Sequence, residues 1–189
     1  MQIAILIYDR LTALDAVGPY EALSRLPGAT VEWVAKERGP QRTDAGLALL
    51  ADRTLDEVPK PDILVVPGGF GTRAALRDPV ILDWVRAAHD TSRWTTSVCT
   101  GSLILGAAGL LKGLRATSHW NLLAQLAEFG ATPVTERIVR QGKVITAAGV
   151  SAGIDMALWL VGEIHGVEHA RAVQRHIEYD PAPPYTAEV

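Results

Sequence analysis

The chain has 189 residues, of which 48% are hydrophobic and 21% charged, and its formal net charge is −3. This length predicts one domain over residues 1–189, and the slightly acidic charge argues against nucleic acid or anionic membranes as partners. The single cysteine excludes an internal disulfide. With no basic leader at the start and no apolar run of about 18 residues, we expect a soluble cytoplasmic protein.

Patterns typical of strands and helices alternate along the chain. Strands are predicted at 3–8, 30–35, 62–69 and 95–98, with a short β excursion at 45–58 and a hairpin at 136–149 that turns at Gln141-Gly142. Helices are predicted at 11–26, at 78–90 with Asp78 as N-cap, from Cys99 to about 113, and at 120–130, 151–166 and 167–179. The proline-rich tail, 180–189, is expected on the surface.

This alternation predicts an α/β fold with a mainly parallel central sheet. Sites in such sheets form beyond the carboxyl ends of the strands. Three segments end a strand in a way that suits a site: 65–71, 97–102 and 146–155. We therefore expect them to meet at one rim of the sheet.

Cys99 lies at a predicted junction between a strand and a helix. A helix N-terminus stabilises a thiolate through its free N–H groups, so this position suits a nucleophile. Gly101 and Ser102 keep the first turn slim, which lets a substrate approach. The alternative is that Cys99 packs as a small buried hydrophobe, as free cysteines often do.

Asp15 is a charge within the apolar stretch that follows the first strand. A carboxyl group at the same rim as a thiol can accept and return the proton that covalent chemistry moves. The alternative is a helix-capping or solvent-facing aspartate. Either interpretation is compatible with the local sequence.

Two further features have both functional and structural interpretations. The loop PGGFG, residues 67–71, can offer backbone N–H groups to an anionic intermediate, or it is simply a tight turn. It matches neither the P-loop nor the dinucleotide fingerprint. His119 is a possible base for Cys99, or a histidine that caps the helix starting beside it.

Taken together, these segments resemble the ThiJ/PfpI superfamily over essentially the whole chain. The resemblance is carried by LDAVGPYEAL, DILVVPGGFG, SVCTGSLILGAAGLLKGLRATSHW and ITAAGVSAGIDMAL. It implies a flavodoxin-like three-layer sandwich, a nucleophile elbow at Cys99 and a homodimer. The protease-like members read Cys-His-Gly at the elbow, whereas this chain reads Cys99-Thr100-Gly101, so the resemblance does not imply a peptidase.

Within this superfamily, the segments look most like the isonitrile hydratase branch and the related domain of arabinose-family transcription regulators. The resemblance implies hydration of a small molecule, R–N≡C, to a formamide through a thioimidate on Cys99, with Asp15 as general acid and base and Thr100 as a further catalytic residue. The implied substrate-binding residues are Gly69, Phe70, Val150 and His119. No metal or organic cofactor is implied, and the helix-turn-helix extension of the regulators is not expected here.

Two other functions remain open on the sequence. One is a cofactor-independent glyoxalase that acts on small reactive carbonyls through the same thiol. Its relatives typically carry a glutamate and a histidine around the cysteine, where this chain has Asp15 and Thr100. The other is a redox sensor, which requires an exposed thiol of low pKa.

Overall fold

The computed structural model describes residues 1–185 of the chain. Eleven strands are present in this part: β1 Gln2–Leu6, β2 Thr30–Ala35, β3 Gly39–Arg42, β4 Ala48–Ala51, β5 Arg53–Thr54, β6 Ile63–Val66, β7 Trp94–Val98, β8 Arg115–Ala116, β9 Thr132–Pro133, β10 Ile138–Gln141 and β11 Val144–Ala147. Six α-helices accompany them: α1 Ala13–Leu23, α2 Thr72–Ala75, α3 Pro79–Thr91, α4 Gly101–Ala107, α5 Ala152–His165 and α6 Val167–His176.

Seven strands form the main sheet, in the order β10-β11-β7-β6-β1-β2-β5. All neighbours in it are parallel except β10 and β11, which form the predicted antiparallel hairpin. The central strands β1, after its first residue Gln2, and β6 are runs of aliphatic residues, because helices cover both faces of a parallel sheet. The predicted α/β fold with a mainly parallel sheet is confirmed.

Helices α1 and α5 contact each other on one face of the sheet, and α6 packs on α5. Helices α2 and α3 contact α4 on the opposite face. Asp78 caps α3 as predicted, since its side chain accepts a hydrogen bond from the N–H of Val80 at 3.0 Å. This arrangement leaves the turns after β1, β6, β7 and β11 together at one rim. Within residues 1–185, no helix has the length and apolar character needed to cross a membrane.

Several predicted boundaries differ from the structure. The segment Trp120–Phe129 consists of 3₁₀ turns rather than an α-helix, and only Leu126 within it is buried, so packing does not enforce the α-helical repeat there. The helix after Cys99 ends at Ala107, before the predicted boundary. The tail is exposed as far as Tyr185, and its residues 186–189 lie outside the described part.

Candidate active site

Cys99 occupies a strained turn between β7 and α4. Its φ is 58°, in the left-handed region that residues other than glycine rarely adopt. The shortest contacts that hold the turn involve the backbone of Cys99: its N–H donates to the carbonyl of Ala148 at 2.9 Å, and the Ser118 hydroxyl donates to its carbonyl at 3.0 Å. The side chain is only 4% exposed. Strain maintained by surrounding contacts is a common property of functional sites.

Asp15 lies in the first turn of α1 and has no exposed surface. Its Oδ2 accepts a hydrogen bond from the N–H of Gly68 at 2.9 Å, and no nitrogen or oxygen donor among residues 1–185 reaches Oδ1. Burial raises the pKa of Asp15 from its ordinary value of 3.8 to about 7, although the Gly68 N–H and the Cys99 thiol partly oppose this. The carboxyl group is therefore able to gain or lose a proton near neutral pH.

The thiol of Cys99 is kept protonated by its surroundings. Burial, together with the negative charge of Asp15, raises the pKa of Cys99 to about 12. The backbone N–H groups of Val150 and Thr100 lower this pKa, but they do not outweigh burial. Stabilisation of a thiolate by N–H groups at the start of α4 is therefore present, but in the resting site burial and the neighbouring carboxylate outweigh it.

The glycine loop after β6 passes directly over the Cys99 turn. A Cβ at Gly68 would lie 2.5 Å from both the N and the Oγ1 of Thr100, so only glycine fits there. Gly69 has a φ of 129°, which side chains rarely adopt, and its N–H donates to Thr100 Oγ1 at 3.0 Å. The loop 67–71 is thus packed closely against the residue that follows Cys99. In this conformation, however, the Gly69 N–H is already used.

Thr100 connects the two turns through its hydroxyl group. Besides accepting from Gly69, its Oγ1 lies 2.8 Å from Oγ1 of Thr72. The Thr72 hydroxyl in turn lies 3.2 Å from the hydroxyl of Tyr8, at the end of β1. Sequence reasoning missed Tyr8 and Thr72. The position of Tyr8 at the carboxyl end of the first predicted strand was the available signal.

Val150 interacts with the cysteine turn, and His119 lies behind it against Gly149. Val150 has a φ of 30°, unusual for a β-branched residue, and its N–H interacts with the Cys99 thiol. The His119 ring packs on Gly149, next to Val150, where an added Cβ would lie 2.9 Å from the ring. His119 also has a capping role, since its Nδ1 accepts from the N–H of Asn121 at 3.3 Å.

Phe70 lies in a cavity that Cys99 does not line. Its side chain is 71% exposed, and the Arg10 guanidinium lies 5.8 Å from its ring centre. It lines a cavity of about 460 Å³ with Tyr8, Arg10 and Arg73, and Cys99 is not among the lining residues. Within residues 1–185, no three His, Cys, Asp or Glu side chains are grouped so that they could hold a metal ion.

The comparisons with known proteins agree with this architecture. The model of the DJ-1/PfpI family matches residues 1–163. The chain belongs to this family. It is 44% identical over 185 residues to the isonitrile hydratase of Pseudomonas putida, which covers 98% of this chain and 81% of that protein. The resemblance found in the sequence is therefore confirmed.

Two more relatives extend the comparison. A THiJ/PfpI family protein from Pseudomonas syringae, solved by crystallography, matches with a TM-score of 0.97 and 44% identity, covering 100% of this chain and 78% of the other. The HTH-type transcriptional regulator CdhR of Pseudomonas aeruginosa is 31% identical over 161 residues, which span 83% of this chain and 48% of the regulator. The family thus includes both an enzyme and a regulator with related domains.

Proposed function

We propose that this protein is an isonitrile hydratase-like enzyme that adds water to R–N≡C and releases an N-substituted formamide. The observation that carries the proposal is the buried pair of Asp15 and Cys99, in which burial raises the pKa of both groups. The 44% identity to an isonitrile hydratase supports the same reaction. Such a pair holds one proton close to the thiol while excluding bulk water.

The first step joins both the sulfur and the proton to the terminal carbon of the isonitrile. Asp15, as carboxylate, accepts the proton of the Cys99 thiol while the sulfur forms a bond to that carbon. Asp15 then returns the proton to the same carbon. The product is a thioimidate, R–N=CH–S–Cys99, and Asp15 is again a carboxylate.

The second step consumes water. Asp15 removes a proton from a water molecule whose oxygen adds to the thioimidate carbon, and it passes that proton to the nitrogen. The carbon–sulfur bond of the resulting R–NH–CH(OH)–S–Cys99 then breaks. The hydroxyl proton returns to the sulfur through Asp15, so that formamide leaves and the thiol is restored.

The proposal also assigns roles to the residues around the pair, namely Thr100, Gly69 and Val150. The N–H groups of Val150 and Thr100, which interact with the sulfur, stabilise the leaving thiolate when the carbon–sulfur bond breaks. The Thr100 hydroxyl and Gly69 steady the polar intermediate from the glycine loop. Val150, with His119 behind it, lines the pocket for the R group. Phe70 borders it only if the loop 67–71 moves on binding.

The other two functions have less support from the site. A redox sensor needs an exposed, ionised thiol, whereas Cys99 is 4% exposed and its pKa is raised to about 12. The glyoxalase relatives carry a histidine beside the cysteine, whereas this chain has Thr100 there. The Thr100 hydroxyl is already hydrogen-bonded to Gly69 and Thr72. Within residues 1–185, no contact around Cys99 favours a carbonyl substrate over an isonitrile.

The test uses an aryl isonitrile in ¹⁸O-labelled water, with mass spectrometry of both the product and the acid-quenched protein. The wild type is expected to release ¹⁸O-formamide and to carry an adduct equal to the mass of the isonitrile on Cys99. Cys99→Ala and Asp15→Asn should abolish both signals. Asp44→Asn is the matched control, because Asp44 is an exposed carboxylate close to the site.

Each outcome has a definite meaning. Turnover that persists in Cys99→Ala contradicts the thiolate mechanism, and turnover that persists in Asp15→Asn contradicts the role of the carboxyl group. Absence of turnover by folded wild type contradicts the hydratase function, and methylglyoxal is then the next substrate to assay. Loss of activity in Asp44→Asn as well shows that general charge, rather than the buried pair, governs the reaction.

The family resemblance also supports a homodimer. An apolar groove between α1 and α5 offers a surface for a second copy of the chain, and its residue Leu14 is 41% exposed. Sedimentation of the wild type and of Leu14→Glu tests this proposal. A monomeric wild type contradicts it.

A further inference from the structure

Tyr8 is a buried residue whose hydroxyl group the proposed chemistry does not use. It lies two residues beyond the end of β1 and is 7% exposed. Its hydroxyl donates a hydrogen bond to the carbonyl of Pro67 at 2.7 Å. Pro67 begins the glycine loop that lies over Cys99, so Tyr8 holds this loop from the side of β1.

The Pro67 carbonyl and the Gly68 N–H belong to one peptide unit. Because a trans peptide is planar, its C=O and N–H point in opposite directions, and fixing one of them fixes the other. Tyr8 holds the carbonyl end at 2.7 Å, and the N–H end donates to Asp15 Oδ2 at 2.9 Å. A hydrogen bond to the carbonyl also polarises the peptide, which strengthens donation by the N–H.

Two threonines complete the arrangement. Tyr8 donates its only hydroxyl proton to the Pro67 carbonyl, so its oxygen is free to accept from the Thr72 hydroxyl at 3.2 Å. Thr72 then accepts from the Thr100 hydroxyl at 2.8 Å, and Thr100 accepts from the Gly69 N–H at 3.0 Å. Every hydroxyl in this chain of contacts has a partner, and the chain fixes the next peptide of the loop as well.

We propose that Tyr8 is a positioning residue: its hydroxyl orients the Pro67–Gly68 peptide so that the Gly68 N–H stays on the Asp15 carboxyl group that serves Cys99. Thr72 supports Tyr8 in this role. The inference rests on the proposed function for its catalytic meaning. Its geometric content, the control of the Asp15 carboxyl group by a distant hydroxyl, can be measured without any substrate.

The titratable groups that face Asp15 are Cys99, Tyr8 and Asp44. Burial raises the pKa of Tyr8 well above its ordinary value of 10.0, so Tyr8 remains an O–H donor throughout the assay range. Asp44 is held at the surface, where it accepts from the Thr12 hydroxyl at 2.6 Å. Among these groups, Tyr8 is the one that acts through a peptide rather than through its own charge.

Removing the Tyr8 hydroxyl lets the Pro67–Gly68 peptide rotate and weakens the bond from Gly68 to Asp15. That bond favours the carboxylate and therefore lowers the pKa of Asp15. In Tyr8→Phe we expect the midpoint of Asp15 titration to rise by about 0.5–1 pH unit. Thr72→Val should raise it less, whereas Thr72→Ser keeps a hydroxyl and should leave it unchanged.

The experiment is ¹³C NMR titration of protein labelled at the aspartate carboxyl groups, with the Asp15 signal assigned by its loss in Asp15→Asn. The acid side of the hydratase pH profile is recorded for the same variants and should move by the same amount. A folded Tyr8→Phe protein with the wild-type midpoint overturns the inference, even if its activity or thermal stability falls. If Tyr8→Phe does not fold, equal midpoints in Thr72→Val and Thr72→Ser overturn it.

This inference and the proposed function fail in different ways. A shifted NMR midpoint together with a wild type that does not hydrate isonitriles supports the positioning role and contradicts the hydratase. Normal hydration together with an unshifted midpoint supports the hydratase and contradicts the positioning role of Tyr8. Restoration of the midpoint by Thr72→Ser, relative to Thr72→Val, assigns the effect to the hydroxyl group rather than to packing.

Discussion

Replacing Asp15 with asparagine should abolish hydration and at the same time stabilise the folded protein at alkaline pH. Asp15 has no exposed surface, and burial disfavours its charged form. Asparagine has almost the same shape and no charge, and its side-chain oxygen can still accept from the Gly68 N–H. The variant therefore removes the cost of a buried negative charge while keeping the main contact.

The size and the pH dependence of this effect follow from linkage. The pKa of Asp15 is about 7 in the folded protein and its ordinary value is 3.8, and each pKa unit corresponds to about 1.4 kcal/mol. Below pH 3.8 both states are protonated, so Asp15 has no cost. As the pH rises through 7, the wild type loses up to about 4 kcal/mol relative to the variant, and the difference is constant above that.

Urea unfolding followed by tryptophan fluorescence at pH 4.5, 6 and 8 measures this difference. The free energy of unfolding of Asp15→Asn should exceed that of the wild type by an amount that grows with pH. Asp44→Asn, at an exposed position, should show much smaller growth, because the Asp44 charge is the smallest of the causes that act on the pKa of Asp15. A variant that is no more stable than the wild type at pH 8, or whose advantage is the same at all three pH values, refutes the reasoning.

Three further predictions concern the pH profile of the pair, the glycine loop and the cap of α3. The hydration rate should rise with pH around 7 as Asp15 ionises and then stay level to pH 9, because the pKa of Cys99 is about 12; a flat profile from pH 6 to 8 contradicts the pair. Gly68→Ala should lower kcat by ~100-fold, measured with the aryl isonitrile, because its Cβ would displace the Cys99 turn. Gly162→Ala, its control within α5, has no contact closer than 3.6 Å and should raise the free energy of unfolding by about 0.5–1 kcal/mol. Asp78→Ala should lower that free energy by about 1 kcal/mol through loss of the α3 cap, with activity unchanged.

Local sequence signals predicted most of the fold. The strands β1, from Ile3 onward, and β6 are continuous buried aliphatic runs, and the Asp78-Pro79 pair marks the start of α3 with a cap and a proline at the first position. These signals depend on neighbouring residues only. The segment 120–129 was harder to predict, because its helical repeat of apolar residues has little core to pack against.

The proximity of Asp15, Cys99 and the glycine loop was predictable, whereas the electrostatics of the pair was not. The rule that sites form at the carboxyl ends of parallel strands is enough to bring Asp15, Cys99 and the glycine loop together from the sequence alone. The direction of the Cys99 pKa could not be predicted, because burial and the distance to a carboxylate are tertiary properties. Tyr8 was missed for the same reason, since its role depends on a peptide 59 residues away in the chain.

A resting thiol of high pKa suits the proposed reaction better than a free thiolate does. An isonitrile is uncharged, and its terminal carbon must receive both a sulfur and a proton. A site that lost the thiol proton to solvent would have to recover one at the moment of addition, whereas the pair of Asp15 and Cys99 keeps it within the buried site. The burial that raises both pKa values also suits an uncharged substrate, because such a substrate enters a buried site without the cost of desolvating a charge. The buried environment that disfavours a redox-sensor role for Cys99 therefore allows the pair to deliver both a sulfur and a proton to one carbon.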